Sequence, residues 1–308
     1  MCIRDSWGHF EAHELRSSHA DRSPTTIEGY EENFKRYILP RWGDTFMENV
    51  KAVGVEQWLS LLPYARSTKS KLRNQLSCLF SHAIRHELWD KMNPIAAVRQ
   101  SSKRMKTPDF LTLPEMQAIL AGLHDPMHRV ILLIAAVTGL RRSEIRGLKW
   151  KDVDFEHLWL RLERGMVKNL QTKLKTEASR KGIPITEELA KALLDWRRQC
   201  LYKAEDDWIL ASPTVNGRSP IWLDLVLRNY LRPSARAAGI TKEIGWHTFR
   251  RSLATLLAAK GEQVKVVQEL LRHSNSSITM ELYQQAEADA KRNAQGHVSA
   301  LFKIPRAS

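Results

Sequence analysis

The sequence lacks the marks of a membrane, secreted or fibrous protein. Its longest uncharged apolar run, Val130–Leu140, lies between two arginines and is much shorter than the roughly 20 residues that a membrane-spanning helix needs. Met1–Arg16 has no apolar centre of the kind found in secretory signals. The 14 glycines and 12 prolines follow no period, which excludes collagen-like and low-complexity chains. We therefore expect a globular protein with no membrane partner.

Cysteine is also scarce. The three cysteines, Cys2, Cys78 and Cys200, are far apart and form no pair with the spacing of metal ligands. A disulfide scaffold would need an even, denser set, so this pattern indicates a protein of the reducing cytoplasm.

Several signatures of enzymes are missing as well. The chain contains no phosphate-binding Gly-x-x-x-x-Gly-Lys-Ser/Thr loop, no Gly-x-Ser-x-Gly turn and no Gly-x-Gly-x-x-Gly dinucleotide motif. His124 and His128 are four residues apart, but Pro126 lies between them and no glutamate follows His124. A zinc pair is therefore not expected there, and the sequence predicts no cofactor and no metal site.

Positive charge, in contrast, is abundant. The 308 residues include 48 lysines and arginines against 34 acidic residues, which gives a formal net charge of +14 and a pI near 9.8. A surplus of this size favours a polyanionic partner, and nucleic acid is the partner that it fits best.

The spacing of apolar residues divides the chain into two parts joined by a basic segment. Residues 21–98 are predicted to form a helical domain, and residues 110–308 a second, mostly helical domain. Residues 99–109 between them are polar and cationic with no apolar period, as is typical of a linker. No role is assigned to residues 1–20.

Apolar residues at three- and four-residue spacing predict three helices in the first domain. They span Thr25–Leu39, Val55–Leu62 and Ser67–Glu87, and Pro40 is predicted to end the first of them.

The second domain is predicted to combine helices with two strands, Leu158–Glu163 and Gly182–Ile185. Its predicted helices span Met116–Leu123, Val130–Thr138, Glu187–Tyr202, Trp222–Ala238, Thr248–Lys260, Val264–Leu271 and Ser277–Ala290. The predicted fold class is therefore mainly α (α+β), with a small antiparallel β-sheet in the second domain.

Cations at predicted helix starts are the candidates for a functional site. His247 and Arg250 share one face at the start of a helix, where positive charge opposes the helix dipole. Such a conflict is explained if an anion binds there. Arg141 follows the turn at Gly139 and precedes Glu144 by three residues; these two side chains could also form an ordinary surface pair.

Four motifs in chain order resemble the tyrosine recombinases, the phage integrase family. Thr138–Leu148 (TGLRRSEIRGL) is similar to the first arginine box, and Lys175 followed by Ser179–Ile185 to the β-hairpin that carries the catalytic lysine. His247–Arg250 (HTFR) is similar to the His-x-x-Arg box, and Leu270–Tyr283 to the final box. The helical first domain is similar to the family's core-binding domain.

This resemblance implies a reaction without metal or ATP. Tyr283 would attack the scissile phosphate and form a 3′-phosphotyrosyl intermediate. Arg141 and Arg250 would contact the two non-bridging oxygens with their guanidinium forks.

The resemblance also implies roles for the remaining residues of the motifs. His247 and His273 would donate hydrogen bonds, and His247 would exchange a proton with the tyrosine. Lys175 would protonate the leaving 5′-oxygen, and Glu144 would hold an arginine or a histidine in place. Arg272 departs from the family pattern, in which glycine is commonest; we expect this extra cation to face DNA.

The resemblance makes site-specific cleavage and rejoining of duplex DNA, for integration or excision of a mobile element or phage, the leading function. A type IB topoisomerase shares the covalent tyrosine chemistry, and a silent DNA-binding regulator needs only the basic surface. Expected partners are double-stranded DNA, further copies of the chain in a synaptic homotetramer, and accessory DNA-bending proteins. The expected location is the cytoplasm of a prokaryotic cell, at the nucleoid.

Overall fold

A computed structural model describes residues 1–16, 22–102, 108–173 and 181–273, together with Met280, Tyr283 and Gln295. The chain forms two compact units, Met1–Thr107 and Pro108–Ser308, which we call the N-terminal unit and the C-terminal unit. No helix in the described ranges is long and apolar enough to cross a membrane.

The N-terminal unit is helical. Its helices are α1 (Ile3–Phe10), α2 (Pro24–Asn33), α3 (Leu39–Trp42), α4 (Ala52–Leu61) and α5 (Arg66–Arg85). Wider π-helical turns follow α1 at Glu11–Leu15 and α2 at Phe34–Ile38, and 3-10 turns lie at Met47–Asn49 and Pro94–Ala97. The apolar stripe of α5, with Leu72, Leu76 and Phe80, is fully buried in the core, as its spacing predicted.

Helix α1 belongs to the core of this unit, although no role was assigned to residues 1–20. Ile3 and Phe10 are buried, and the ring of Trp7 stacks on Phe34 with centroids 3.9 Å apart. Ile3, Trp7 and Phe10 share one helix face because they are three and four residues apart. The unit therefore begins well before residue 21; α1 is too short for its apolar period to stand out in the sequence.

The prediction that Pro40 ends its helix is wrong. The π-helical turn brings the Leu39 N–H to the Phe34 carbonyl, and the chain continues as α3. Pro40 is then the second residue of α3, where a missing N–H breaks no hydrogen bond within the helix.

The C-terminal unit has eight helices in its described ranges. They are α6 (Leu113–Ala121), α7 (Pro126–Thr138), α8 (Arg142–Arg146), α9 (Glu187–Gln199), α10 (Leu223–Val226), α11 (Arg232–Ala237), α12 (Trp246–Ala259) and α13 (Val264–Leu271). A π-helical turn, Leu227–Leu231, joins α10 to α11, and 3-10 turns lie at Trp150–Asp152 and Pro213–Val215.

Five short strands form two small antiparallel sheets in the described ranges of this unit. The strands are β1 (Val153–Asp154), β2 (Trp159–Leu160), β3 (Arg164–Val167), β4 (Leu170–Lys173) and β5 (Ile183–Pro184). One sheet has the order β1-β2-β5, and β3 and β4 form a separate hairpin. The predicted fold class, mainly α with a small antiparallel β component, is confirmed.

The hairpin was not predicted as a pair of strands. Its two strands pair from Arg164–Lys173 to Val167–Leu170, and Lys168 in the turn has a φ of 54°. Glycine usually marks such a turn, and Lys168-Asn169 carries none. The predicted helix Ser277–Ala290 lies outside the described residues, apart from Met280 and Tyr283.

Candidate active site

The ends of four helices meet at the candidate site. They are the carboxyl ends of α7 and α13 and the amino ends of α8 and α12, and α12 packs against both α7 and α13. Helix ends carry unpaired backbone groups, so carbonyls of α7 and α13 are available to hold cationic side chains from α8 and α12.

Gly139 allows this close approach. It lies just after α7 with a φ of +60°, and a Cβ atom added there would lie 2.6 Å from Leu271 Cδ2. Its carbonyl accepts a hydrogen bond of 2.8 Å from Arg250 Nη1. The glycine of TGLRRSEIRGL therefore serves both the left-handed turn and the contact between α7 and α13.

Glu144 is the anionic centre of the site. Its side chain is 2% exposed and accepts hydrogen bonds from the backbone N–H and Nη1 of Arg141, each at 2.8 Å. It also accepts a hydrogen bond of 2.6 Å from Arg272 Nη2. One buried carboxylate thus orients two guanidiniums. Glu144 was expected to hold an arginine or a histidine, and among the described residues its side-chain partners are the arginines.

Arg250 is held by backbone carbonyls and by a histidine. It is 5% exposed, donates through Nη1 to Gly139 and through Nη2 to the Leu271 carbonyl, and its Nε lies 3.2 Å from His273 Nε2. Burial, and then the charge of Arg141, lower the pKa of Arg250 to about 9. The guanidinium remains a cation at neutral pH.

Arg272 is a member of the cluster that the sequence did not predict. It caps α13 in the left-handed conformation, with φ 54° and ψ 47°, where glycine is the usual residue. Its side chain is 2% exposed and lies inside the arginine cluster, paired with Glu144, so the extra cation belongs to the candidate site and not to the outer surface. Among the described atoms, its Nε and Nη1 have no hydrogen-bond partner. Buried donors without an acceptor are costly, so this arginine is suited to an anionic ligand.

The two histidines of the site are neutral at pH 7. Burial, followed by the charges of Arg250, Arg141 and Arg272, lowers the pKa of His273 to about 4. Partial desolvation, followed by the charge of Arg250, also lowers the pKa of His247. A neutral imidazole keeps one N–H donor and one acceptor, so either ring can bind an oxyanion or take up a proton.

Three guanidiniums therefore surround one carboxylate. Arg141, Arg250 and Arg272 leave an excess of positive charge in a largely buried place, and Glu144 cannot neutralise all of it. Guanidinium forks match the oxygens of phosphate, so the cluster can bind a phosphate group.

Tyr283 does not lie in this cluster. Its hydroxyl donates a hydrogen bond of 2.6 Å to the Glu262 carbonyl, and its ring packs against the small buried cluster of Ala254, Val267 and Leu271. Glu262 follows the end of α12, whereas Arg250 lies about 13 Å along the axis from that end. Burial and the charge of Glu262 raise the pKa of the tyrosine hydroxyl. Lys175 lies outside the described residues.

The sequence of the C-terminal unit matches the phage integrase family over residues 109–289. The chain belongs to the phage integrase family. The predicted family is confirmed, and so is the predicted enzyme class: the protein is a tyrosine-type site-specific recombinase, which cleaves and religates DNA.

Proteins with similar sequences are named tyrosine recombinases. A tyrosine recombinase of Pseudothermotoga lettingae is 27% identical over 264 residues, covering 83% of this chain and 86% of the relative. A tyrosine recombinase of Thermosipho africanus is 27% identical over 270 residues, covering 83% and 87%.

Solved structures share the fold. The integrase of transposon Tn1549 in complex with transposon right end DNA has a TM-score of 0.77 at 20% identity, covering 96% of this chain and 100% of that one. The lambda integrase dimer bound to a COC′ core site has a TM-score of 0.72 at 21% identity, covering 92% and 95%.

The third arginine of TGLRRSEIRGL, Arg146, makes contacts that stabilise the fold. Arg146 is 3% exposed and donates to the carbonyls of Lys168, Pro220 and Ile221 at 2.7, 3.3 and 3.0 Å. It also lies over the ring of Trp222, 4.5 Å from the centroid. This arginine ties the turn of the β3–β4 hairpin to the segment before α10, so the motif positions the hairpin of the recombinase as well as its arginine cluster.

Proposed function

We propose that the recombinase binds double-stranded DNA with its scissile phosphate in the cluster of Arg141, Arg250 and Arg272. The observation that carries this proposal is the surplus of buried positive charge around Glu144, together with the two unpaired donors of Arg272. A phosphate would supply acceptors and negative charge at once. The surplus charge of the chain would bind the neighbouring phosphates and make affinity fall with salt.

Arg141 and Arg250 stabilise the transition state. Each would contact one non-bridging oxygen, and the charge that develops on the pentacoordinate phosphorus is met by donors already oriented by Glu144, Gly139 and the end of α13. Because the carboxylate and carbonyls fix these guanidiniums beforehand, little reorganisation is needed during the reaction.

Tyr283 is the nucleophile in this proposal. Its hydroxyl leaves the Glu262 carbonyl and enters the arginine cluster, where positive charge favours the phenolate. The phenolic oxygen attacks phosphorus, its proton passes to His247, and the bond from phosphorus to the 5′-oxygen breaks. Lys175 gives a proton to that oxygen, leaving a 3′-phosphotyrosyl enzyme and a 5′-hydroxyl.

His273, Glu144 and Arg272 complete the site. Neutral His273 can donate a hydrogen bond from its N–H group to a phosphate oxygen, while its other ring nitrogen, Nε2, accepts from Arg250 Nε. Glu144 keeps Arg141 and Arg272 in place by accepting from both, and the open donors of Arg272 can reach an oxygen directly or through water.

The biological reaction that we propose is integration or excision of a mobile element or phage. The Tn1549 transposon integrase and lambda integrase share the fold, which supports this choice. We also propose that active complexes are homotetramers on two synapsed DNA sites, with help from accessory DNA-bending proteins. The proposed location is the prokaryotic cytoplasm, at the nucleoid.

Covalent capture tests the proposal. Wild-type protein is incubated with sheared genomic DNA, denatured, and digested, and mass spectrometry locates the nucleotide-bearing peptide. We expect the adduct on Tyr283, no adduct with Tyr283→Phe, and a normal yield with Tyr230→Phe, which alters an exposed tyrosine of the same unit. An adduct that persists in Tyr283→Phe would overturn the assignment.

The captured DNA also separates recombinase from topoisomerase. Adducts at one recurring sequence, and strand exchange between two copies of it, are expected of a recombinase. Relaxation of any supercoiled plasmid without paired sites, or binding without any adduct, would contradict the proposed strand exchange.

A further inference from the structure

The N-terminal unit contains a second cluster of titratable side chains, made mostly of histidines. His9 and His13 lie four residues apart at the start of the chain, and His82 and His86 lie four apart near the end of α5. Residues at this spacing share a helix face. The rings of His82 and His86 have centroids 4.2 Å apart, and those of His9 and His13 also 4.2 Å apart.

One glutamate lies within this cluster. A carboxylate oxygen of Glu14 and one ring nitrogen each of His82 and His86 all lie within 4.8 Å of one another. A tetrahedral Zn²⁺ ion with bonds of about 2 Å holds its ligand atoms about 3.3 Å apart. Small rotations of these three side chains would therefore suffice to bring their ligand atoms around one ion.

We propose that Glu14, His82 and His86 form a Zn²⁺ site in the N-terminal unit, with a water molecule as the fourth ligand. Imidazole and carboxylate are donors that suit Zn²⁺. The ion would connect the π-helical turn after α1 to the end of α5, two segments far apart in sequence. The site would be structural, and it is independent of the phosphate cluster in the C-terminal unit.

His82 is already oriented as a metal ligand requires. Its Nδ1 lies 3.0 Å from Glu14 Oε1, and its Nε2 lies 2.8 Å from His9 Nδ1. If Nδ1 binds the ion, Nε2–H donates to His9, and such an outer hydrogen bond is the usual way of fixing a ligating ring.

Two arginines compete with the ion for Glu14. Arg85 forms an ion pair with Oε1, and Arg22 Nη2 lies 4.0 Å from Oε2. The side chain of Arg85 is 65% exposed, so it can turn into solvent when the ion takes its place. Because Arg85 keeps most of its contact with solvent, it can leave Glu14 at little cost, whereas an ion bound at several ligands restrains both segments.

Zinc titration of the full chain tests the site. Protein is stripped with a chelator, dialysed, and titrated with ZnCl₂ in a calorimeter, and thermal unfolding is followed with and without the ion. We expect one Zn²⁺ per chain and a midpoint of unfolding raised by several degrees, because an ion that binds only the folded state stabilises it.

Matched variants make the result specific. Glu14→Gln and His86→Ala should each weaken Zn²⁺ binding by at least about tenfold and remove the thermal shift, while His124→Ala, at an exposed histidine of the other unit, should leave both unchanged. Circular dichroism without zinc checks that each variant is folded. Absence of a thermal shift in the wild type, or zinc binding that is equal in wild type and both ligand variants, would overturn the proposal.

Discussion

The two units each surround a single glutamate with nitrogen-bearing side chains, but the groups around it differ. In the C-terminal unit, Glu144 is 2% exposed and lies among guanidiniums that stay charged. In the N-terminal unit, the partly buried Glu14 lies beside the imidazoles of His82 and His86. The first cluster has unused N–H donors and surplus positive charge, so it suits an anion. The second offers imidazole nitrogens and a carboxylate oxygen within 4.8 Å of one another, which are donors that suit a metal cation.

This difference shows what decides the sign of a ligand. Both clusters contain basic side chains, but the chemistry of these side chains differs. An arginine cannot give up its proton near neutral pH, whereas a buried histidine does so readily. Variants of the two clusters therefore test this difference.

The largest expected effect is on catalysis at Arg250. Arg250→Lys should lower the rate of covalent DNA adduct formation by about 10²–10³, because a lysine cannot hold the Gly139 carbonyl, His273 and a phosphate oxygen together. Single-turnover cleavage measures the loss. Arg228→Lys, at an exposed arginine, is the control and should cleave normally; equal rates for all three proteins would remove Arg250 from the site.

The next largest effect is on the free energy of unfolding, which should respond differently to substitution of the two glutamates. Glu144→Gln should lower the free energy of unfolding by about 3 kcal/mol, since it leaves buried guanidiniums without their counter-ion. Glu14→Gln, without added zinc, should cost less than about 1 kcal/mol because the arginines paired with it reach solvent. Denaturant titrations measure both. Similar losses in the two variants would contradict the contrast between the clusters.

A smaller effect is expected at Arg272. Arg272→Gly restores the residue that suits a left-handed position but removes a charged hydrogen bond to Glu144. Cleavage should fall about tenfold, with the free energy of unfolding changed much less because relief of backbone strain offsets part of the loss. Unchanged cleavage would show that this arginine serves packing alone.

The smallest expected effect concerns pH. The pKa of His273 is about 4 in the folded chain and near 6.5 when unfolded, so the unfolded chain takes up the proton first as pH falls. Its contribution to stability is complete above pH 6.5 and is lost progressively toward pH 4. His273→Asn should make the free energy of unfolding less dependent on pH across this window. Denaturant curves at three pH values measure the slope, and an unchanged slope would contradict the low pKa.

The sequence predicted most of the helices because their apolar residues repeat regularly, as in α5. It failed where backbone geometry decides: Pro40 fits inside a helix after a wider turn, and Lys168 adopts a positive φ without glycine. The motifs identified the family and five residues that lie in or beside the arginine cluster. They could not show that Arg272 turns inward, or that Tyr283 rests on the Glu262 carbonyl, since both depend on how α12 and α13 pack.

The sequence does not predict the proposed zinc site, for a related reason. The sequence contains three His-x-x-x-His pairs, His9 and His13, His82 and His86, and His124 and His128. His9 and His13 lie in a segment to which no role was assigned, and their meeting with His82 and His86 depends on α1 packing against α5. The repeated spacing, with His82 and His86 on the predicted helix Ser67–Glu87, is the signal that indicates such a site.

The most direct test of the arginine cluster is cleavage of two substrates that differ in one charge. Wild type and Arg141→Ala are compared on a duplex with an ordinary scissile phosphate and on one with a methylphosphonate, which lacks one charged oxygen. If the guanidiniums neutralise phosphate charge, Arg141→Ala should lose about 10²–10³ in rate on the phosphate and at least about tenfold less on the methylphosphonate. An equal loss on both substrates would contradict this role and leave Arg141 as a residue that only positions the DNA.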